Sequence, residues 1–331
     1  MSKKTIVLNK ERKVTLTPFI VSDKKTPCIL ILPGGAYNEC ELSEGEPVAR
    51  VFNKLGFNCF VLCYSVGEKY KWPYPLDDYE QATEFIKKNS EKYHVDSEHI
   101  IVMGFSAGGH LASAAATIAK NKPYACVMCY ALTNEKTLIY SRAKDAPDTA
   151  KCVNLDTSPC FIVSSRNDWI VPIFNTTAFI DALNANFIDY ESHIYGYSMH
   201  GFSVGKEAGA DTAMFCSRVG DWISEFVSWL DELMTGKYVS IRECAEFNDR
   251  FSEKLSTANS CEVLFRDEKR KNKFIKKFPI YYLIYSVAAK QAPEFSKKVS
   301  PRGVYQLLKI SPEKIKKMDL FFNKYDNDER G

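Results

Sequence analysis

The chain has 331 residues, 45% apolar and 26% charged, with a formal net charge of +3. This is ordinary for a globular protein, and long enough for one large α/β domain and a smaller unit. No apolar run has the length of a membrane span, and residues 1–10 lack the apolar core of a signal peptide, so the start reads as mature sequence.

The first elements are two strands, 5–8 and 14–20, joined by a short charged turn that predicts an antiparallel start. Strands at 28–32, 57–64, 100–104, 124–130, 160–165 and 190–195 follow, several of them near-continuous apolar runs, the pattern of strands covered on both faces. Helical patterns lie between them at 47–55, 76–89, 107–120, 174–183 and 211–234, the last with Gly236 placed to cap it. Asp77 and Asp78 read as acids complementing the dipole of the second helix. This alternation predicts a mostly parallel, eight-stranded sheet flanked by helices. The interruption at 131–159 is long enough for a short cap only.

Residues 237–331 read as a small helical appendage with helices at 242–255, 279–290, 302–309 and 312–325. Pro279, Pro301 and Pro312 suit first helical turns, and Ser300 and Ser311 suit N-caps. Charge divides the same way: residues 1–235 carry −5 and residues 236–331 carry +8. Domains of 1–236 and 237–331 are expected. The basic run Lys269, Arg270, Lys271, Lys273, Lys276 and Lys277, with Phe274, Phe278, Tyr281 and Tyr282 nearby, reads as a solvated helix face whose aromatics pack against the larger domain. Nucleic-acid docking is the disfavoured alternative. Oligomerisation, or shaping of a pocket entrance, is kept open.

The 11 cysteines are odd in number, and Cys28, Cys59, Cys63, Cys126, Cys129 and Cys160 fall in or beside predicted strands, where a free thiol behaves as a small hydrophobe. Cys126 and Cys129 spell C-x-x-C, but positions three apart on a strand face opposite sides, against redox or metal use. Reduced thiols without an export signal predict a cytoplasmic location.

The pentapeptide Gly104-Phe105-Ser106-Ala107-Gly108 carries the chemistry. It lies where an apolar strand meets the small-residue helix Leu111-Ala112-Ser113-Ala114-Ala115-Ala116, the strand–turn–helix context of a nucleophile elbow. A serine hydroxyl needs a base, and the base needs an acid to hold its tautomer. With the chain order Ser, acid, His, only His193 and His200 of the five histidines qualify. His193 falls inside the last predicted strand and His200 in the loop beyond it, where active-face groups belong, so His200 is the expected base. Asp168 follows the preceding strand and is the expected acid, ahead of Asp156. His110, one turn into the elbow helix, reads as a packing or helix-surface residue. Gly34 and Gly35 end the third strand, where backbone amides of Gly35 or Ala36, with Ala107, are expected to form an oxyanion hole.

The segments LPGGAY (32–37), EGEP (44–47), GFSAGGH (104–110), RNDWIVP (166–172) and HGF (200–202) resemble the α/β-hydrolase superfamily, and within it the acetyl-esterase branch with acetyl-xylan-esterase-like and feruloyl-esterase-like members. They occur in the right order across about residues 25–235. Pro33 stands where many relatives have histidine, and Ala36 where some have a third glycine. No family is recognised for residues 237–331. The resemblance implies hydrolysis of acetyl or other small acyl groups on sugars such as xylo-oligosaccharides, by Ser106, His200 and Asp168, with no metal or organic cofactor. Tyr37, Trp169 and Tyr197, and less so Tyr70, Trp72 and Tyr74, are expected near sugar subsites. A serine peptidase or amidase of the same fold is the enzymatic alternative, and a basic C-terminal binding module the non-enzymatic one. An acylated carbohydrate is the expected partner, no membrane is expected, and a homo-oligomer is kept open.

Overall fold

The computed structural model describes residues 4–205, 216–238, 240, 255–257, 259–291 and 299–324. The chain divides into two compact units, Met1–Lys237 and Tyr238–Gly331.

The first unit is built on strands β1 (Ile6–Asn9), β2 (Val14–Phe19), β3 (Thr26–Leu32), β4 (Asn58–Cys63), β5 (Val95–Phe105), β6 (Ala125–Cys129), β7 (Cys160–Ser165) and β8 (Tyr190–Tyr195). They form one eight-stranded sheet in the order β1-β2-β4-β3-β5-β6-β7-β8. β1 and β2 join antiparallel, and every pairing from β4 through β8 is parallel. The expected architecture is therefore observed. Ile29–Leu32 are fully buried, as are all residues of β6, because helices cover both sheet faces. These helices are α1 (Glu46–Lys54), α2 (Tyr74–Lys88), α3 (Ala107–Ile118), the short α4 (Glu135–Leu138), α5 (Phe174–Ala185) and α6 (Trp222–Thr235).

Parallel register brings the carboxyl ends of the strands to one edge. Leu32 of β3 lies opposite Gly104 of β5, Phe105 opposite Cys129 of β6, Cys129 opposite Val163 of β7, and Ser165 opposite Tyr195 of β8. The loops that leave those ends carry Gly34, Ser106, Asp168 and His200. α3 starts at once from β5, and its run of glycine, alanine and serine lets the helix lie buried almost all round, close to the sheet.

Two local expectations are corrected, and a third lies almost wholly outside the described residues. The helix expected over 211–234 begins at Trp222. Gly220 has φ +138°, outside helical space, residues 217–221 form turns, and 206–215 lie outside the described residues. Asp78 does not serve the α2 dipole. It is fully buried, where its Oδ2 accepts the Ser65 amide and its Oδ1 pairs with Arg12. The helix expected over 242–255 falls on residues 241–254, outside those described, and Leu255 is a buried, non-helical residue of the second unit's core.

That second unit contains α7 (Cys261–Phe265), α8 (Glu268–Lys277), α9 (Pro279–Gln291), α10 (Pro301–Leu307) and α11 (Pro312–Phe322). Its own core gathers Leu255, Leu264, Phe274, Met318 and Phe322, with Phe274 stacked on Phe322 at 4.9 Å. The aromatics of the basic run thus pack within this unit, and Arg270 is buried, donating to the Val263 and Leu264 carbonyls. Ser300 caps α10 through the Gly303 amide, whereas Ser311 occupies the N-cap of α11 without a side-chain cap bond.

The sharp β5–α3 turn depends on missing side chains. A Cβ on Gly108 would lie 2.0 Å from the Leu32 carbonyl oxygen, and one on Gly104 would lie 2.1 Å from the Gly108 oxygen. Both contacts are backbone, so neither yields cheaply. Gly108→Ala and Gly104→Ala are each expected to cost about 2–3 kcal/mol, read as a lower urea midpoint at unchanged m-value.

Candidate active site

Ser106 sits at the junction of β5 and α3 with φ 51° and ψ −114°, a conformation that non-glycine residues rarely adopt. Such a residue holds strain of about 1–3 kcal/mol and persists only where its surroundings over-determine it. They do so here. Its amide donates to the Cys129 carbonyl at 3.0 Å, and its carbonyl accepts from His110 and Leu132. The hydroxyl is held at the carboxyl edge of the sheet, at the head of α3, where the opening N–H groups have no partner inside the helix.

The loop after β8 brings His200 to that hydroxyl. Nε2 lies 2.9 Å from Ser106 Oγ, and Nδ1 lies 2.6 Å from Asp168 Oδ2. Asp168 comes from the loop after β7 and is buried, and its Oδ1 accepts the amides of Ile170 and Val171 at 2.9 and 2.8 Å. A carboxylate that already accepts two backbone amides is fixed in direction. Its free oxygen takes the Nδ1–H of His200 and leaves the Nε2 lone pair facing the serine. Three side chains separated by 62 and 32 positions in sequence are thus joined in one line.

His193 is not part of this line; it pairs with Glu191 at 2.8 Å and stacks on Phe161. Asp156 is exposed and lies on the loop before β7. His99 binds Asp96, at the opposite end of β5.

The turn after β3 faces the serine. Gly35, Ala36 and Tyr37 all have positive φ, of 116°, 52° and 59°. The Gly34, Gly35 and Ala36 carbonyls are committed to the amides of Glu41, of Asn38 and Glu39, and of Arg142. Gly35 and Ala36 line a cleft of about 510 Å3 together with Ser106, Ile170, His200 and Gly201. A larger cavity of about 790 Å3, beside Cys40, Cys63 and α1, contains none of the three aligned side chains and is a separate feature.

Tyr37 is corrected as a subsite residue. It is 2% exposed, its hydroxyl is 2.7 Å from His110 Nδ1, and its ring packs edge-on to Tyr64. A positive φ turns this side chain back into the core instead of toward the cleft. Trp169 and Tyr197 stand exposed, 72% and 58%, on the loops that carry Asp168 and His200 but outside the cleft lining. Ile170, which does line it, has no distinguishing sequence signal.

Two buried polar residues complete the surroundings: Glu44, to which sequence reasoning gave no role, and His110, expected as a packing or helix-surface residue and found buried. Glu44, 4% exposed, accepts the Gly34 amide on Oε2 and the Tyr130 hydroxyl on Oε1, both at 2.7 Å. Burial pushes its carboxyl pKa up, while the Tyr130 hydroxyl and the Gly34 amide pull it back. Tyr130 in turn accepts the Ser203 amide and packs its ring on His200 at 4.8 Å. EGEP was the only available signal for Glu44. On the other side, His110 is fully buried between the Tyr37 hydroxyl and the Pro147 carbonyl. Desolvation lowers its pKa to about 4.

Among the described residues no cluster of three or more His, Cys, Asp or Glu is placed to hold a metal, and no helix is long and apolar enough to cross a membrane. The ten described cysteines are free thiols.

Residues 19–140 match the BD-FAE family model. The chain is 31% identical over 214 residues to endo-1,4-beta-xylanase B of Butyrivibrio fibrisolvens, covering 56% of this chain and 34% of that protein. Among solved structures it is similar to MGS-M1, an alpha/beta hydrolase enzyme from a Medee basin deep-sea metagenome library, with 32% identity, a TM-score of 0.65, and coverage of 71% of this chain and 98% of that one. It is also similar to an acetyl ester-xyloside bifunctional hydrolase from Caldicellulosiruptor lactoaceticus, with 27% identity, a TM-score of 0.62, and coverage of 70% and 97%. The chain spans at most 52% of the length of the curated relatives it matches.

His110 supplies a pH prediction. The ring is neutral when folded and titrates nearer pH 6.5 when unfolded, so below that value the unfolded chain binds the extra proton. The stabilising effect is complete above pH 6.5 and is lost as pH falls toward 4, by up to about 3 kcal/mol. Chemical denaturation at pH 4–7 should show wild type losing stability relative to His110→Gln as pH falls. A constant difference would mean that the ring is not held neutral.

Proposed function

Because the chain belongs to the esterase branch of the α/β-hydrolase superfamily, we propose that it is a serine esterase that removes acetyl and other small acyl groups from carbohydrate esters. One observation carries this reading: His200 bridges Ser106 Oγ and Asp168 within hydrogen-bond distance on both sides.

In the proposed reaction Ser106 Oγ attacks the ester carbonyl as Nε2 of His200 takes its proton. Asp168 stabilises the imidazolium. The oxyanion is held by amides of Gly35 or Ala36 and of Ala107, at the positive end of α3. The C–O bond to the sugar breaks, and the leaving alkoxide receives the proton from Nε2. Water then attacks the acyl-serine, giving its proton to His200, and acetate leaves as Ser106 is reprotonated.

The substrate class rests on supporting observations. A cleft of about 510 Å3 suits a small acyl group with part of a sugar. Glu39 and Glu41 on its rim disfavour anionic esters. Exposed rings of Trp169 and Tyr197 beside the cleft offer faces for sugar stacking. The names of the xylanase and of the bifunctional hydrolase point the same way. Residues 1–236 would carry the chemistry, with 237–331 as an attached helical domain.

The deciding experiment is a substrate panel with purified protein. Acetylated xylo-oligosaccharides and p-nitrophenyl acetate are expected to turn over, with rates falling steeply from acetate to octanoate. Ser106→Ala and His200→Ala should each lower kcat by about 10⁴-fold or more. Faster cleavage of octanoate esters, or of peptide amides, would remove the acetyl-sugar reading.

A further inference from the structure

Outside the Ser106–His200–Asp168 line, one buried group touches both halves of the site. Glu44 ends the 3-10 turn Leu42–Glu44, ten positions beyond the glycine it binds. Its Oε2 takes the amide of Gly34, the residue that starts the oxyanion turn and whose backbone packs on the nucleophile. A Cβ on Gly34 would fall 2.9 Å from Ser106 Cβ and 2.6 Å from Glu44 Oε2. Its Oε1 takes the Tyr130 hydroxyl, which accepts the amide of Ser203, three residues beyond His200. Ser203 N–H to Tyr130 O–H to Glu44 to Gly34 N–H is therefore one unbroken chain. Every oxygen in it is an acceptor for a donor on the next group, the pattern of an ionised carboxylate.

The charge is expensive here. A buried carboxylate is retained only when donors satisfy it, and removing its partners leaves a desolvated charge. If packing alone were needed, an apolar residue would fill this place at lower cost. The chain joins two loops that the sheet does not connect directly: the turn after β3 and the loop after β8. We infer that Glu44 is a positioning residue that holds the oxyanion turn and the His200 loop in catalytic register. It touches no reacting atom. This inference rests on the esterase reading above.

The test uses the full-length chain. Active serines are counted by labelling with a fluorophosphonate, and p-nitrophenyl acetate turnover is expressed per labelled serine. Wild type that neither labels nor turns over would overturn both readings together. Given active wild type, Glu44→Ala is expected to lower kcat by about 10²-fold, since a shift of an ångström at the reacting groups costs that much, with KM changed by less than about threefold. Glu44→Gln keeps an acceptor for Gly34 but loses the charge, and should recover about tenfold of that loss. Tyr130→Phe keeps the ring on His200 and removes only the link. It should lower kcat alone, yet add less than about twofold to Glu44→Ala, because both break one chain. A purely structural role predicts a lower melting temperature with kcat per labelled serine unchanged, and that result would overturn the inference. Multiplicative losses in the double variant would overturn it too. If Glu44→Ala does not fold, Glu44→Gln and Tyr130→Phe decide alone, and unchanged kcat in both refutes it.

Discussion

The closeness of three backbone segments at the end of β5 is the constraint on which the site depends. Gly104 and Gly108 touch across the Ser106 turn, Gly108 touches the end of β3, and Gly34 touches Ser106. No side chain fits between them. Once these contacts form, the serine has only its strained conformation available, and Ser106 and the turn after β3 sit at van der Waals distance without an intervening group. The sheet register supplies the rest. Four parallel strands end at one edge, so loops from β7 and β8 reach the serine without a long excursion.

The elements that were legible in sequence share a cause. Strands buried on both faces read as apolar runs, and the elbow is flanked by glycines that steric exclusion demands. Asp168 and His200 each follow a strand, and chain order plus the carboxyl-edge rule separates them from Asp156 and His193. The misread residues are those whose direction depends on tertiary contacts. Tyr37 belongs to a loop near the serine, but whether its ring faces the cleft or the core depends on a backbone φ of 59°. Asp78 occupies a first-turn position by spacing, yet its partner Arg12 comes from 66 residues away. Glu44 is separated from Tyr130 by 86 residues, and nothing local to either announces the pair.

Two buried ionisable groups flank the same turn. His110 meets a hydroxyl and the Pro147 carbonyl; the carbonyl favours the protonated ring, but burial outweighs it and keeps the ring neutral. Glu44 meets two donors, which favour the negative form against its burial. Burial is the largest influence on both, raising the carboxyl pKa and lowering the imidazole pKa, and the hydrogen-bond partners oppose it at each group.

The turn at residues 34–37 is consequently fastened at both ends. Gly34 is tied to Glu44, Tyr37 is tied through its hydroxyl to His110 on α3, and the carbonyl of Ala36 between them is tied to Arg142. Anchoring Tyr37 inward has a consequence for the cleft. Of this turn, only Gly35 and Ala36 line it, so a methyl is the largest group the turn contributes. A wall of backbone yields less than a wall of long side chains, because the hydrogen bonds that fasten it must break before it moves. Discrimination by acyl size would then come from a rigid main chain, and a tyrosine in the core serves that end better than a tyrosine in the cleft.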